Sequence, residues 1–299
     1  MTHGLMGGFA RIERFSSVGS TNDVVRGWLA DGVPEIALAV ADEQTAGRGR
    51  NGRTWSALPG AALLLSLGFR PRWLDPDRTW RLAGIVALAM ADAAETVASL
   101  PAGSIRFKWP NDLVVVAEGP AAGHDAGAAG AGPDAGAAGA DTDPVRLLKV
   151  AGILGETDGL GTDDPRAVVG IGINADWRAV DFPLALASGM TSLREIAGGR
   201  SIDRDALLDA FMGGLERRAD ALRSGRFDIE DWAARQVTTG HLVELAATDG
   251  STTTGRATGV DGASGALIVE SAGPHGQRLM RRVLAGEVVH LRLPSASVV

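Results

Sequence analysis

Three arginines, Arg48, Arg50 and Arg53, stand close together in "AGRGRNGRTW", interleaved with Gly47, Gly49 and Gly52. Glycine is too costly inside a helix or a central strand for this stretch to be either. The sequence therefore predicts a loop that concentrates positive charge. Each guanidinium can grip a carboxylate or phosphate through two parallel hydrogen bonds. No lysine follows the glycines, so this is not a G-x-x-x-x-G-K-[ST] phosphate loop, and it lacks the strand–helix context of a dinucleotide fingerprint. A solvated basic turn is the plain alternative.

Two further stretches carry chemistry. In "KWPNDL" an apolar strand is interrupted by a turn, which gathers Lys108, Asn111 and Asp112 where a nucleotide and its magnesium could meet them. The bland reading is an ordinary Asn/Asp turn. In "KVAGILGE", Lys149 sits within an apolar strand, where a lysine either snorkels or meets an anion. Gly152 and Gly155 would let a ligand or a second backbone approach. "GIGIN", Gly170 to Asn174, reads by itself as tight strand packing.

The elements that must position these residues follow from pattern. Ser20 and Thr21 are helix-cap residues, followed by an apolar face of Val24, Val25, Trp28 and Leu29 and a stop at Gly32. Buried strands are predicted over Glu35 to Asp42 and Ala61 to Phe69, and an alanine-rich helix over Arg78 to Leu100. Strand-like runs end at Trp109 and Val116, and others begin at Arg146 and Ala167. Strands joined mostly by loops predict an α+β fold with a mixed sheet rather than a doubly wound parallel one. Asp203 to Ser224 is an amphipathic helix, and a shorter one lies around Ile229 to Arg235. From Gln236 the pattern changes to short strands and glycine turns, a small β-barrel-like module. The expected division is residues 1–235 and 236–299. Residues 118–144 stand apart: seventeen of these 27 are alanine or glycine and "DAGAAGA" occurs twice, so the segment has almost nothing to bury and reads as a disordered insertion.

Composition narrows the functional classes. A net charge of −7 argues against a general nucleic-acid surface, so the arginine loop suits a small anion better than a polyanion. An RNA-binding module is the non-enzymatic alternative, but the chain has no tyrosine and 5% aromatics to stack bases. With no cysteines, thiolate metal sites and cysteine nucleophiles are excluded. No secretory signal or membrane-length apolar run is visible, and a cytoplasmic protein with no membrane partner is expected.

In this order and spacing, "GSTN", "EQTAGRGRNGRTW", "KWPNDL", "KVAGILGE" and "VGIGIN" resemble biotin protein ligase, over roughly Ile12 to Asn174. The resemblance implies a mixed-sheet catalytic domain related to class II aminoacyl-tRNA synthetases, followed by an SH3-like domain. It implies ATP-dependent activation of biotin as biotinyl-5'-adenylate and transfer to a lysine of a biotin carboxyl carrier domain of acyl-CoA or pyruvate carboxylases. By the family pattern, Ser20, Thr21, Asn22 and Gln44 receive biotin, with backbone contacts from Gly47 and Gly152. Arg48, Arg50 and Lys149 spread positive charge over the reacting carboxylate and phosphate. Arg53 and Trp55 face the nucleotide, with Trp55 against the adenine. Lys108, Asn111 and Asn174 serve ATP. Asp112 either holds magnesium or orients the incoming lysine. A glycine-hinged loop that opens and closes would shield the adenylate from water. The resemblance begins too near the first residue for an N-terminal winged helix-turn-helix, so a ligase without specific DNA binding is expected. Lipoate ligase, which shares fold and chemistry, is the nearest rival.

Overall fold

The computed structural model describes residues 8–117, 146–246, 252–273, 277–284 and 287–292. The alanine–glycine insertion lies outside the described residues.

A seven-stranded mixed sheet organises the larger part of the chain. Its strands are β1 (Arg11–Phe15), β2 (Ala37–Ala41), β3 (Ala62–Phe69), β4 (Arg106–Lys108), β5 (Asp112–Ala117), β6 (Arg146–Asp158) and β7 (Arg166–Asn174). They run in the order β1-β2-β3-β7-β6-β5-β4. Only β1 and β2 pair in parallel; the other neighbours are antiparallel. Every residue of β3 is buried, as its unbroken apolar run requires of a strand covered on both faces.

The two faces differ in side-chain size. On one, α1 (Thr21–Ala30) lies so close that a Cβ on Gly68 would come within 2.7 Å of Val25. On the other, Leu63, Leu65, Leu67 and Phe69 join the main core with α2 (Trp80–Val97) and α5 (Arg204–Arg223). The helices α3 (Leu184–Ala187), α4 (Leu193–Ile196) and α6 (Ile229–Ala234) are short. Among the described residues, no helix is long and apolar enough to cross a membrane.

The last strands, β8 (Leu242–Ala246), β9 (Thr252–Val260), β10 (Leu267–Ala272), β11 (Arg278–Val283) and β12 (Glu287–Arg292), form an antiparallel sheet ordered β11-β10-β9-β8-β12. Its small core contains Val243, Leu245, Ala257, Leu267 and Val269, together with Trp109 from the turn between β4 and β5. The junction is tied by backbone. Phe107 N–H donates to Arg235 O and Val237 N–H to Phe107 O. Beneath it Arg235, 6% exposed, pairs with Glu95 at 2.8 Å and Asp92 at 2.9 Å.

Candidate active site

The α1 face of the sheet opens into a cleft of about 530 Å³. Among the described residues, five basic ones line it, Arg48, Arg50, Arg53, Lys108 and Lys149, against one acidic residue, Asp112. A cationic cleft in a chain of net charge −7 selects an anionic ligand.

One end is neutral. Ser20 stands at the N-cap position of α1 without a side-chain capping bond, and Ser20, Thr21 and Asn22 are all buried there. The Thr21 N–H and hydroxyl both donate to Gln44 Oε1, at 2.7 and 3.0 Å. That fixes the amide orientation and leaves Gln44 Nε2 as a donor for a ligand. Ser66 Oγ lies 2.7 Å from Thr21 Oγ1 and 2.5 Å from Asn22 Oδ1, and Asn22 Nδ2 donates to Glu156 at 2.6 Å. Sequence reasoning passed over Ser66 and Glu156. A lone serine in "ALLLSLGF" was the available signal for the first; Glu156 closes a motif already singled out.

Glycines make the floor. Gly152 and Gly172 stand opposite each other on β6 and β7, beneath the Trp55 indole. A Cβ on Gly172 would lie 2.6 Å from Trp55 Nε1, and one on Gly170 would lie 2.2 Å from Asn22 Oδ1. Trp55 Nε1 is buried against this floor and has no hydrogen-bond partner among the described residues. Lys149 Nζ sits 2.6 Å from Asp112 Oδ1 and 5.3 Å from the centre of the Trp55 ring, braced between a carboxylate and a π-face.

The arginine stretch is folded. Trp55 N–H donates to Gly47 O, Gly49 N–H to Arg53 O, and Arg48 bridges Thr54, so residues 47–55 form a small hairpin with Asn51 and Gly52 at positive φ in its tip. Gly47 stands in the hairpin stem rather than on the cleft lining: a Cβ there would come within 2.3 Å of Trp55 O. Arg50 reaches across to Asn111 Oδ1 at 3.5 Å, and Asn111 Nδ2 donates to Ile153 O at 2.9 Å. Arg48 turns the other way, donating to both oxygens of Asp23 at 2.7 and 2.8 Å. The Arg48 hydrogen bond holds the Asp23 carboxyl below its usual range, and Asp23 in turn raises Arg48.

Asn174 is not brought to the cleft lining. It is buried at the end of β7, where Nδ2 donates to Thr191 O at 3.0 Å and Oδ1 has no partner among the described residues. It holds the segment that pairs with Lys149, since Lys149 N–H donates to Gly189 O and Thr191 N–H to Lys149 O. Among the described residues, no group of three or more His, Cys, Asp or Glu could hold a metal ion.

Residues 15–174 match the Biotin/lipoate A/B protein ligase family. Among curated relatives, a biotin–[acetyl-CoA-carboxylase] ligase of Mycobacterium tuberculosis is 29% identical over 291 residues, covering 95% of this chain and 91% of the relative. One from Paracoccus denitrificans is 31% identical over 256 residues, 84% of this chain and 90% of the relative. The fold is similar to that of a biotin protein ligase from Aquifex aeolicus in complex with biotin and ATP, with a TM-score of 0.67 at 23% identity, over 96% of this chain and 100% of the other.

Proposed function

The chain belongs to the biotin/lipoate A/B protein ligase family, and from that premise we propose that it activates biotin with ATP as biotinyl-5'-adenylate and transfers the biotinyl group to a lysine of a biotin carboxyl carrier domain. The observation that carries this reading is the polarity of the cleft, with the hydrogen-bonding groups of Ser20, Thr21, Asn22 and Gln44 at the α1 end and Arg50, Lys108 and Lys149 farther along it.

In the first step a biotin carboxylate oxygen attacks the α-phosphorus of ATP, and the bond to pyrophosphate breaks. Two anions must approach each other, so positive charge placed at the forming bond lowers the barrier. Lys149 and Arg50 supply it from opposite walls. Gln44 Nε2, with Ser20, Thr21 and Asn22, receives the ureido end, while Trp55 separates that end from the nucleotide. Lys108, Arg53 and Asn111 meet the phosphates and nucleoside. Magnesium fits a site with a single carboxylate, because this ion is held largely by phosphates and water. Asp112 is the residue that would hold it. In the second step the lysine amine attacks the acyl carbon, AMP leaves, and the amine loses a proton. Asp112 already binds one ammonium, that of Lys149, which suits it to orient the acceptor amine. Arg48, tied to Asp23, acts by fixing the hairpin, and Asn174 acts through the strand that bears Lys149.

Residues 1–235 form the catalytic unit in this reading, akin to class II synthetase domains, and residues 236–299 an SH3-like unit. Biotin is favoured over lipoate because the α1 end is polar and buried. A dithiolane offers no acceptor to Gln44 Nε2, and sites built to hydrogen-bond reject such analogues strongly. A competition between biotin and lipoate, read as pyrophosphate release, tests this. Biotin should be preferred at least about a hundredfold; equal use of the two acids would overturn the assignment.

A further inference from the structure

The charges around the first turn of α1 form a closed cluster that the chemistry above does not use. Arg48 lies in a fork on Asp23 and reaches Glu156 at 3.5 Å. Arg26 spans the same two carboxylates, at 2.5 Å to Asp23 and 2.8 Å to Glu156. Glu156 also accepts from Asn22 Nδ2. Two acids and two arginines thus join three elements: the arginine hairpin, α1 and β6.

The cluster sits at one stem of the hairpin. Arg48 is next to Gly47, whose backbone packs against Trp55, and opposite Thr54 in the stem pairing. At the far side, Arg50 crosses the cleft to Asn111. A hairpin of this size is too short to be stable on its own contacts. Its position over the cleft depends on what its stem is fastened to, and Arg48 provides a bidentate fastening with a defined direction.

We propose that Asp23 and Glu156 are positioning residues that anchor the arginine hairpin over the cleft through Arg48, so that an acyl-adenylate formed beneath it is retained and kept from water. This rests on the ligase reading for its chemical consequence, but the anchor itself is a physical claim that can be read without turnover. The two carboxylates do different work. Asp23 holds Arg48 in the fork and also pairs with Arg26, whereas Glu156 holds Arg26, the Asn22 amide and, at longer range, Arg48.

Four variants separate these roles. Asp23→Asn removes the ion pair and keeps the shape. Glu156→Gln removes the charge but keeps an amide oxygen to accept from Asn22, and Glu156→Ala removes both. Arg48→Lys keeps a point charge and loses the fork. The first measurement is amide hydrogen exchange across residues 47–55 in the ligand-free protein. Protection at the Gly49 and Trp55 N–H groups should fall about fivefold in Asp23→Asn and Arg48→Lys, the size expected for loss of a partly exposed fork. The second is escape of biotinyl-adenylate from the preloaded protein against its rate of synthesis. Escape should rise by a similar factor in Asp23→Asn and Glu156→Gln, with the biotin KM moving only in Glu156→Ala. Unchanged exchange and unchanged escape would overturn the proposal, and so would a loss of protection spread evenly over the sheet. If wild-type protein traps no adenylate while the exchange result holds, the anchor stands and the ligase reading fails.

Discussion

At Gly172 a single hydrogen decides whether Trp55 can lie flat on the sheet. A methyl there would come within 2.6 Å of Trp55 Nε1. Gly172→Ala should lift the indole and weaken ligand binding, while destabilising the fold by no more than about 1–3 kcal/mol, the usual range for overpacking. Calorimetric titration with biotin beside a thermal melt checks both. Lys149 belongs to the same scale. In the proposed reaction it stands at the forming bond, so Lys149→Ala should slow adenylate formation more than transfer from preformed adenylate. Single-turnover assays of each half-reaction distinguish this from an equal loss in both. Lys149 was legible in the sequence, since a charge inside an apolar strand is a local anomaly. Asp23 and Ser66 were not. An acid in the first turn of a helix and a serine in a strand are unremarkable until the fold places Arg48 and Asn22 beside them.

The arginine hairpin is the element on which access to the cleft turns. Its glycines correctly excluded a helix interior and a central strand, with only a single 3-10 turn at Arg50–Gly52, but the same glycines concealed the stem pairing at Gly47, Gly49 and Thr54, because side-chain pattern carries no signal where side chains are missing. Arg50 spans the cleft, so Arg50→Ala should depress adenylate formation and retention while shifting stability by less than about 0.5 kcal/mol, as for most surface substitutions. A denaturant midpoint measured beside the burst of adenylate tests the pair of claims. The anchor also has a pH signature. Asp23 is held below its usual range by Arg48, with Arg26 and Glu156 as its charged neighbours. A lowered carboxylate pKa keeps the pair ionised as pH falls through the ordinary range near about 4. Hairpin protection factors should therefore hold down to that range and decline only below it. A third element-scale expectation concerns the connection between β5 and β6. Ala117 pairs with Arg146, so the flanks of the alanine–glycine segment already lie side by side. Replacing residues 119–142 with a short turn should change stability by only about 1 kcal/mol and leave adenylate formation intact.

For the molecule as a whole, the turn that borders the cleft also holds the second sheet. Trp109 is 4% exposed, donates its N–H to Thr238 Oγ1 and its indole N–H to Gly265 O, and completes the core of the last five strands. In sequence "KWPNDL" reads as a ligand turn or an ordinary Asn/Asp turn, with no sign of the second sheet. The partners of Trp109 lie well over a hundred residues away, and spacing within one motif cannot show them. The mixed sheet, its long helices and the terminal β-rich sheet were readable because periodicity and turn residues are local; the joint between the two sheets was not. Trp109→Ala should cost about 3–5 kcal/mol, concentrated in the terminal sheet, and limited proteolysis should then cut after residue 236 before it cuts the larger sheet.

The central claim, that one cleft makes an activated acyl intermediate and then hands it on, is tested by separating the two steps. The protein is incubated with biotin and radiolabelled ATP, free nucleotide is removed, and a biotin carboxyl carrier domain is added without further ATP. The account predicts that label stays with the protein as biotinyl-adenylate, and that the carrier then gains one biotinyl group on one lysine while AMP is released. Absence of trapped adenylate, or a transfer step that needs fresh ATP, would contradict it.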